Sequence, residues 1–131
     1  MPERKVRTDV DGLAKLINLP DQVESVRWEH RKTKGGSSLV AVITVGRSAV
    51  ESLLGQAKRL DLQSPVKING ATSGLLFPGG LGKQASGSEL ELHGTNVDPG
   101  PFINPKKSGL VNGIASIVVE NQFVYLSLYE M

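Results

Sequence analysis

Two stretches, residues 39–45 (LVAVITV) and 123–129 (FVYLSLY), constrain this chain more than any other part of it. Side chains along a strand alternate between two faces, and in both stretches each face is largely apolar. In the second, Phe123, Tyr125 and Tyr129 share one face with Ser127, while Val124, Leu126 and Leu128 share the other. A strand of that kind is either central to a sheet or meets another chain. Left uncovered, it would aggregate. The C-terminal hairpin formed by residues 114–119 and 123–129 is therefore expected to be buried in the sheet, or to serve another protein or self-association.

The remaining periodicities supply partners for these strands. Val10, Leu13, Leu16 and Ile17 recur at helical spacing, which predicts a helix over residues 9–18, capped by Thr8 or Asp9 and stopped by Pro20. Residues 23–31 alternate, with Val26, Trp28 and His30 on one face and Arg27, Glu29 and Arg31 on the other. The polar turn KTKGGSS then joins this strand to residues 39–45 as a hairpin with a basic tip. Ser48-Ala49-Val50-Glu51 fits a capping box, and Val50, Leu53, Leu54, Ala57 and Leu60 form an apolar stripe behind it.

Beyond residue 64 the pattern loosens. A short strand is expected at residues 66–69, and another where Leu90 and Leu92 alternate with Glu89, Glu91 and His93. Nine of the fifteen glycines fall between Gly70 and Gly109 and interrupt regular structure. The order predicts an α+β fold: helix, β-hairpin, capped helix, then a loop-rich, mainly antiparallel β half ending in the C-terminal hairpin. At 131 residues, one domain is expected over 1–131.

Composition narrows the function classes. The chain has no cysteine, which excludes disulfides, thiolate metal sites and a cysteine nucleophile. No apolar run approaches the roughly 20 residues that a helical membrane span requires. The N-terminus, MPERKVRTDVDG, lacks the apolar stretch of a signal peptide, so a cytoplasmic protein without a cofactor or membrane partner is expected. Fifteen Lys and Arg against thirteen Asp and Glu give a net charge of +2, and residues 1–34 hold all of that excess.

Several residues are candidates for chemistry. A basic group made of Arg27, Arg31, Lys32 and Lys34 on the hairpin suits a phosphate or nucleic-acid backbone. Arg47 and Ser48, at a helix N-terminus with free N–H groups, suit an anion. Lys83 lies within Gly80-Leu81-Gly82-Lys83-Gln84-Ala85, which matches G-x-G-x-x-A but lacks the strand before and the helix after that a dinucleotide requires. An anion-binding nest around Lys83 is the form that survives. Glu91 and His93, two apart on one strand face, make a possible acid–base pair, with His30 the one other imidazole.

Three functions follow. The first is a small protein-interaction domain, such as an adaptor, inhibitor or regulatory subunit. The second is a phosphate or nucleic-acid binder acting through the basic hairpin and the Arg47 helix end. The third is an enzyme using Glu91 and His93.

Overall fold

The computed structural model describes residues 6–20, 22–33, 36–59, 66–69, 85–86, 89–92, 94–119 and 122–130. Lys34, Leu60, Lys83, His93 and nearly all of the glycine-rich 70–87 stretch lie outside the described residues. In chain order the elements are α1 (Val10–Ala14), β1 (Val23–Thr33), β2 (Gly36–Val45) and α2 (Arg47–Gln56). There follow β3 (Val66–Asn69), β4 (Ala85–Ser86), β5 (Glu89–Leu92) and β6 (Thr95–Val97). A 3₁₀ turn at Gly100–Phe102 then precedes β7 (Asn112–Val118) and β8 (Phe123–Tyr129). The fold is mixed α+β, built on a five-stranded antiparallel sheet of order β1-β2-β8-β7-β6. Strands β3, β5 and β4 form a separate three-stranded antiparallel sheet.

Strand β8 lies between β2 and β7 with both of its edges paired. Its two apolar faces are used within the chain. Val124, Leu126 and Leu128 enter the main core with Trp28, Leu39, Ala41 and Ile43. Phe123 and Tyr125 join Val42, Val118 and Ile68 of β3 in a second cluster on the opposite face. The burial that made a partner for this hairpin attractive is thus met internally.

The main core lies under the helices. Leu13 and Ile17 from the α1 region, Ala49 and Val50 from α2, and Phe102 and Leu110 from the 98–111 connection cover the face that carries Trp28. Gly113 holds β7 in register at a φ of +140, where a Cβ would collide with the Ser127 carbonyl oxygen, so only glycine fits.

Two local expectations fail for tertiary reasons. The first helix ends at Ala14, short of Asn18. Its late carbonyls are satisfied from outside instead: the Lys107 ammonium donates to the Ala14 oxygen at 2.9 Å and to that of Ile17 at 3.3 Å, and the Ser108 hydroxyl donates to Leu16 at 2.7 Å. Such acceptors need no further helical turn. Asp9 occupies the N-cap position, but its side chain makes no cap bond and is gripped by Arg7.

The second correction concerns the capping box. The N-cap of α2 is Gly46, not Ser48, and no side chain caps it. Ser48 is already inside the first turn, and its hydroxyl donates to the Gln22 amide oxygen at 3.4 Å. Gln22, in a left-handed conformation with φ 59, also accepts from the Gly46 N–H. The helix stops at Gln56, before the end of the predicted stripe.

Trp28 does face the core with Val26, as its alternation requires. Alternation puts Glu29 on the polar face with Arg27 and Arg31, yet it is 4% exposed. Val40, its partner in β2, packs against the second cluster, so this part of the outer face is not open to water.

Candidate functional site

A concave surface among the described residues runs along α2. Gly46 is extended and starts the helix directly after β2, and Val50 donates back to the Gly46 carbonyl at 3.0 Å. Ala49 and Val50 anchor the helix in the core. With those residues inward, Ser48, Ser52 and Gln56, spaced four apart, line up on an exposed ridge.

Together with Gln22, Ala49 and Leu53 they enclose a cleft of about 220 Å³. Its polar groups are amides and hydroxyls, each able to donate and accept, and none carries a charge. Their mutual bonds are long: 3.4 Å from Ser48 to Gln22 and 3.3 Å from the Gln56 amide to Ser52 Oγ. Bonds of that length are weak and exchange readily for those of a ligand. The site is therefore set up for neutral hydrogen-bonding groups.

A second cleft of about 130 Å³ adjoins it, sharing Leu53 and Gln56. Ala57, Pro101, Phe102 and Ile117 make its walls apolar, and Asp98 contributes one carboxylate. The far wall comes from the turn after β6. Asp98 is fixed there by its N–H to the Lys58 carbonyl at 2.8 Å and by its Oδ1, which accepts from the Gly100 N–H at 3.0 Å.

Among the described residues, those singled out in the sequence do not converge on one site. Arg31 and Lys32 are exposed but adjacent in β1, so they project from opposite faces. Arg27 is half-buried on the outer face, opposite Val42. Arg47 and Ser48 are at the far end of β2, a ten-residue strand that spans roughly 30 Å. The hairpin tip and the helix end therefore lie at opposite ends of β2, with Arg27, opposite Val42, between them. Lys34 and Lys83 lie outside the described residues.

Of the acid–base candidates, Glu91 is placed only through its backbone pairing with Lys67 in β3, and His93 lies outside the described residues. His30 is half-buried on the core side of β1, where burial and then the Lys32 charge push its pKa down, against an opposing pull from Glu130. Among the described residues no three His, Cys, Asp or Glu side chains gather as a metal site would require. No helix among them is long and apolar enough to cross a membrane.

The α2 clefts were missed in the sequence. The four-residue spacing of Ser48, Ser52 and Gln56 was visible, but it reads as an ordinary wet helix face until Gln22 is known to stand opposite. Asp98, Pro101 and Phe102 carried no signal, since they meet Leu53 only through folding. Compared with protein-family models, curated proteins and solved structures, the chain matches none.

Proposed function

We propose that this protein is an interaction domain that binds an extended polypeptide segment along α2. The observation that carries the reading is the uncharged cleft of Gln22, Ser48, Ser52 and Gln56 joined to an apolar one at Leu53. An extended peptide presents alternating N–H and C=O groups, which amides and hydroxyls match without charge selectivity. The adjoining apolar cleft takes a side chain and so supplies the anchor, as buried anchors do in protein interfaces. Adaptors, inhibitors and regulatory subunits all work through such surfaces.

A displayed library of random peptides tests this. Enrichment of a shared motif is expected. Ser52→Trp, which fills the polar cleft from an exposed helix position, is expected to weaken the selected peptides by at least about tenfold, the effect of losing one or two hydrogen bonds. No enrichment, or undiminished binding to a folded Ser52→Trp variant, would overturn the proposal.

A further inference from the structure

We infer that the apolar cleft between α2 and the Gly100–Phe102 turn is a pocket for a lysine side chain, with Asp98 as its selecting residue. The inference rests on the reading of α2 as a polypeptide-binding helix and names the anchor that such a segment would carry. Its ground is the chemistry of the walls. Leu53, Ala57, Pro101, Phe102 and Ile117 offer contact to a hydrocarbon chain, and beside the neutral Gln56 amide the one charged residue of the lining is Asp98. At about 130 Å³ the space is close to the ~150 Å³ of cavities known to hold one six-carbon ring, so it admits one side chain and no more.

A lone carboxylate in apolar surroundings favours a cation with an apolar body. Lysine has both, a four-carbon stem and a terminal ammonium. The state of the carboxylate separates lysine from arginine. Asp98 Oδ1 accepts from the Gly100 N–H at 3.0 Å, and among the described residues no hydrogen bond or ion pair engages Oδ2. An ammonium is a point charge that needs one oxygen, whereas a guanidinium gains its advantage from a bidentate grip on two. Lys58, whose carbonyl accepts from the Asp98 N–H, and Arg59 beside it both have exposed side chains. Among the described residues neither pairs with Asp98. The site therefore keeps its charge for an incoming group.

The probes are Nα-acetyl-lysine methylamide and its norleucine counterpart, which has the same stem without the ammonium. Each is titrated into the ¹⁵N-labelled protein, with the backbone amides followed by NMR. The lysine compound is expected to shift Ala57, Gly100 and Phe102 saturably, and to bind about five- to tenfold more tightly than norleucine, between the usual gain of an exposed ion pair and that of a charged hydrogen bond. Asp98→Asn keeps an oxygen for the Gly100 N–H and is expected to erase that difference. Equal binding of the two compounds, or a lysine preference that survives Asp98→Asn, would overturn the lysine pocket. Either result leaves the polypeptide reading standing wherever displayed peptides still bind. Lysine binding at these amides with no peptide enrichment would keep the pocket and remove the polypeptide reading.

Discussion

Two neighbouring rows of side chains cross the same five strands one residue apart, and they could hardly differ more. The inner row is Trp28, Ala41, Leu126, Ala115 and Val97, apolar throughout and at most 1% exposed. The outer row is Arg27, Val42, Tyr125, Ser116 and Asn96, in which four of five positions carry a polar group. Tyr125, Ser116 and Asn96 are nonetheless buried. Backbone pairing is the same for both rows, so the ladder cannot account for their contrast. What differs is the cover. Helices and the 98–111 connection close the inner face with Leu13, Ile17, Val50, Phe102 and Leu110, whereas among the described residues Ile68 of β3 is the buried residue that meets the outer cluster from another sheet. We therefore expect the inner face to contribute more of the folding energy than the outer one.

The sharpest attempt to break that contrast is Trp28→Ala. Trp28 fills the inner row, and its indole N–H donates to the Asp9 carbonyl at 3.1 Å. The Arg7 guanidinium lies 4.5 Å above its ring, with its own grip on Asp9. Destabilisation of about 3–5 kcal/mol is expected from the lost ring and the cavity it leaves. Chemical denaturation would measure it. A loss below that of an outer-row substitution would reverse the ranking of the two faces.

Tyr125→Phe probes the outer row with a smaller change. Burial raises the Tyr125 pKa above its ordinary value, and a hydrogen bond with Ser127 opposes this only in part. A raised folded-state pKa means that the unfolded chain releases the proton first. Stability is therefore intact below the unfolded value of about 10 and falls as pH rises from there towards the folded value. At neutral pH, Tyr125→Phe is expected to cost about 1 kcal/mol for the lost hydrogen bond. Above pH ~10 the variant is expected to escape this part of the alkaline loss. Parallel decline of both proteins in denaturant melts across that range would show that the outer row is open to water.

The smallest effect, and one of opposite sign, belongs to Ser116→Ala. Ser116 is fully buried, and its hydroxyl has no hydrogen-bond partner among the described residues. Removing an unsatisfied buried hydroxyl is expected to leave stability unchanged or raise it by up to about 1 kcal/mol. A clear drop in melting temperature would mean that this hydroxyl is bonded after all.

The alternation of the two rows was legible in residues 39–45 and 123–129, and Trp28 was placed inward with Val26 on the same argument. Glu29 escaped it, because alternation tells which face a residue takes and not whether that face is dry. The existence of α2 was legible too, through its apolar stripe. Its cap was not. Ser48 and Glu51 have the right spacing for a capping box, but Gln22, a neighbour only after folding, takes the Ser48 hydroxyl. The candidate site was the least legible part. One wall is a helix ridge with visible spacing, and the other is a turn around Asp98 and Phe102 that nothing local connects to it.

By itself, the sequence determined most of the strands and which of their side chains share a face, but not β4 or β6, which lie in stretches where glycine and proline hide any period. Those properties follow from a two-residue period and the cost of exposing apolar surface, both local. Tertiary structure alone decided that β8 sits between β2 and β7, which buries a hairpin that on sequence grounds could as well have met a partner. It also decided that Gln22 stands against α2, and that Asp98 closes a cleft beside it. Strand neighbours and cleft walls are set by backbone hydrogen bonds and packing between distant segments. Any apolar strand can make those bonds with any other, so only the folded whole selects among them.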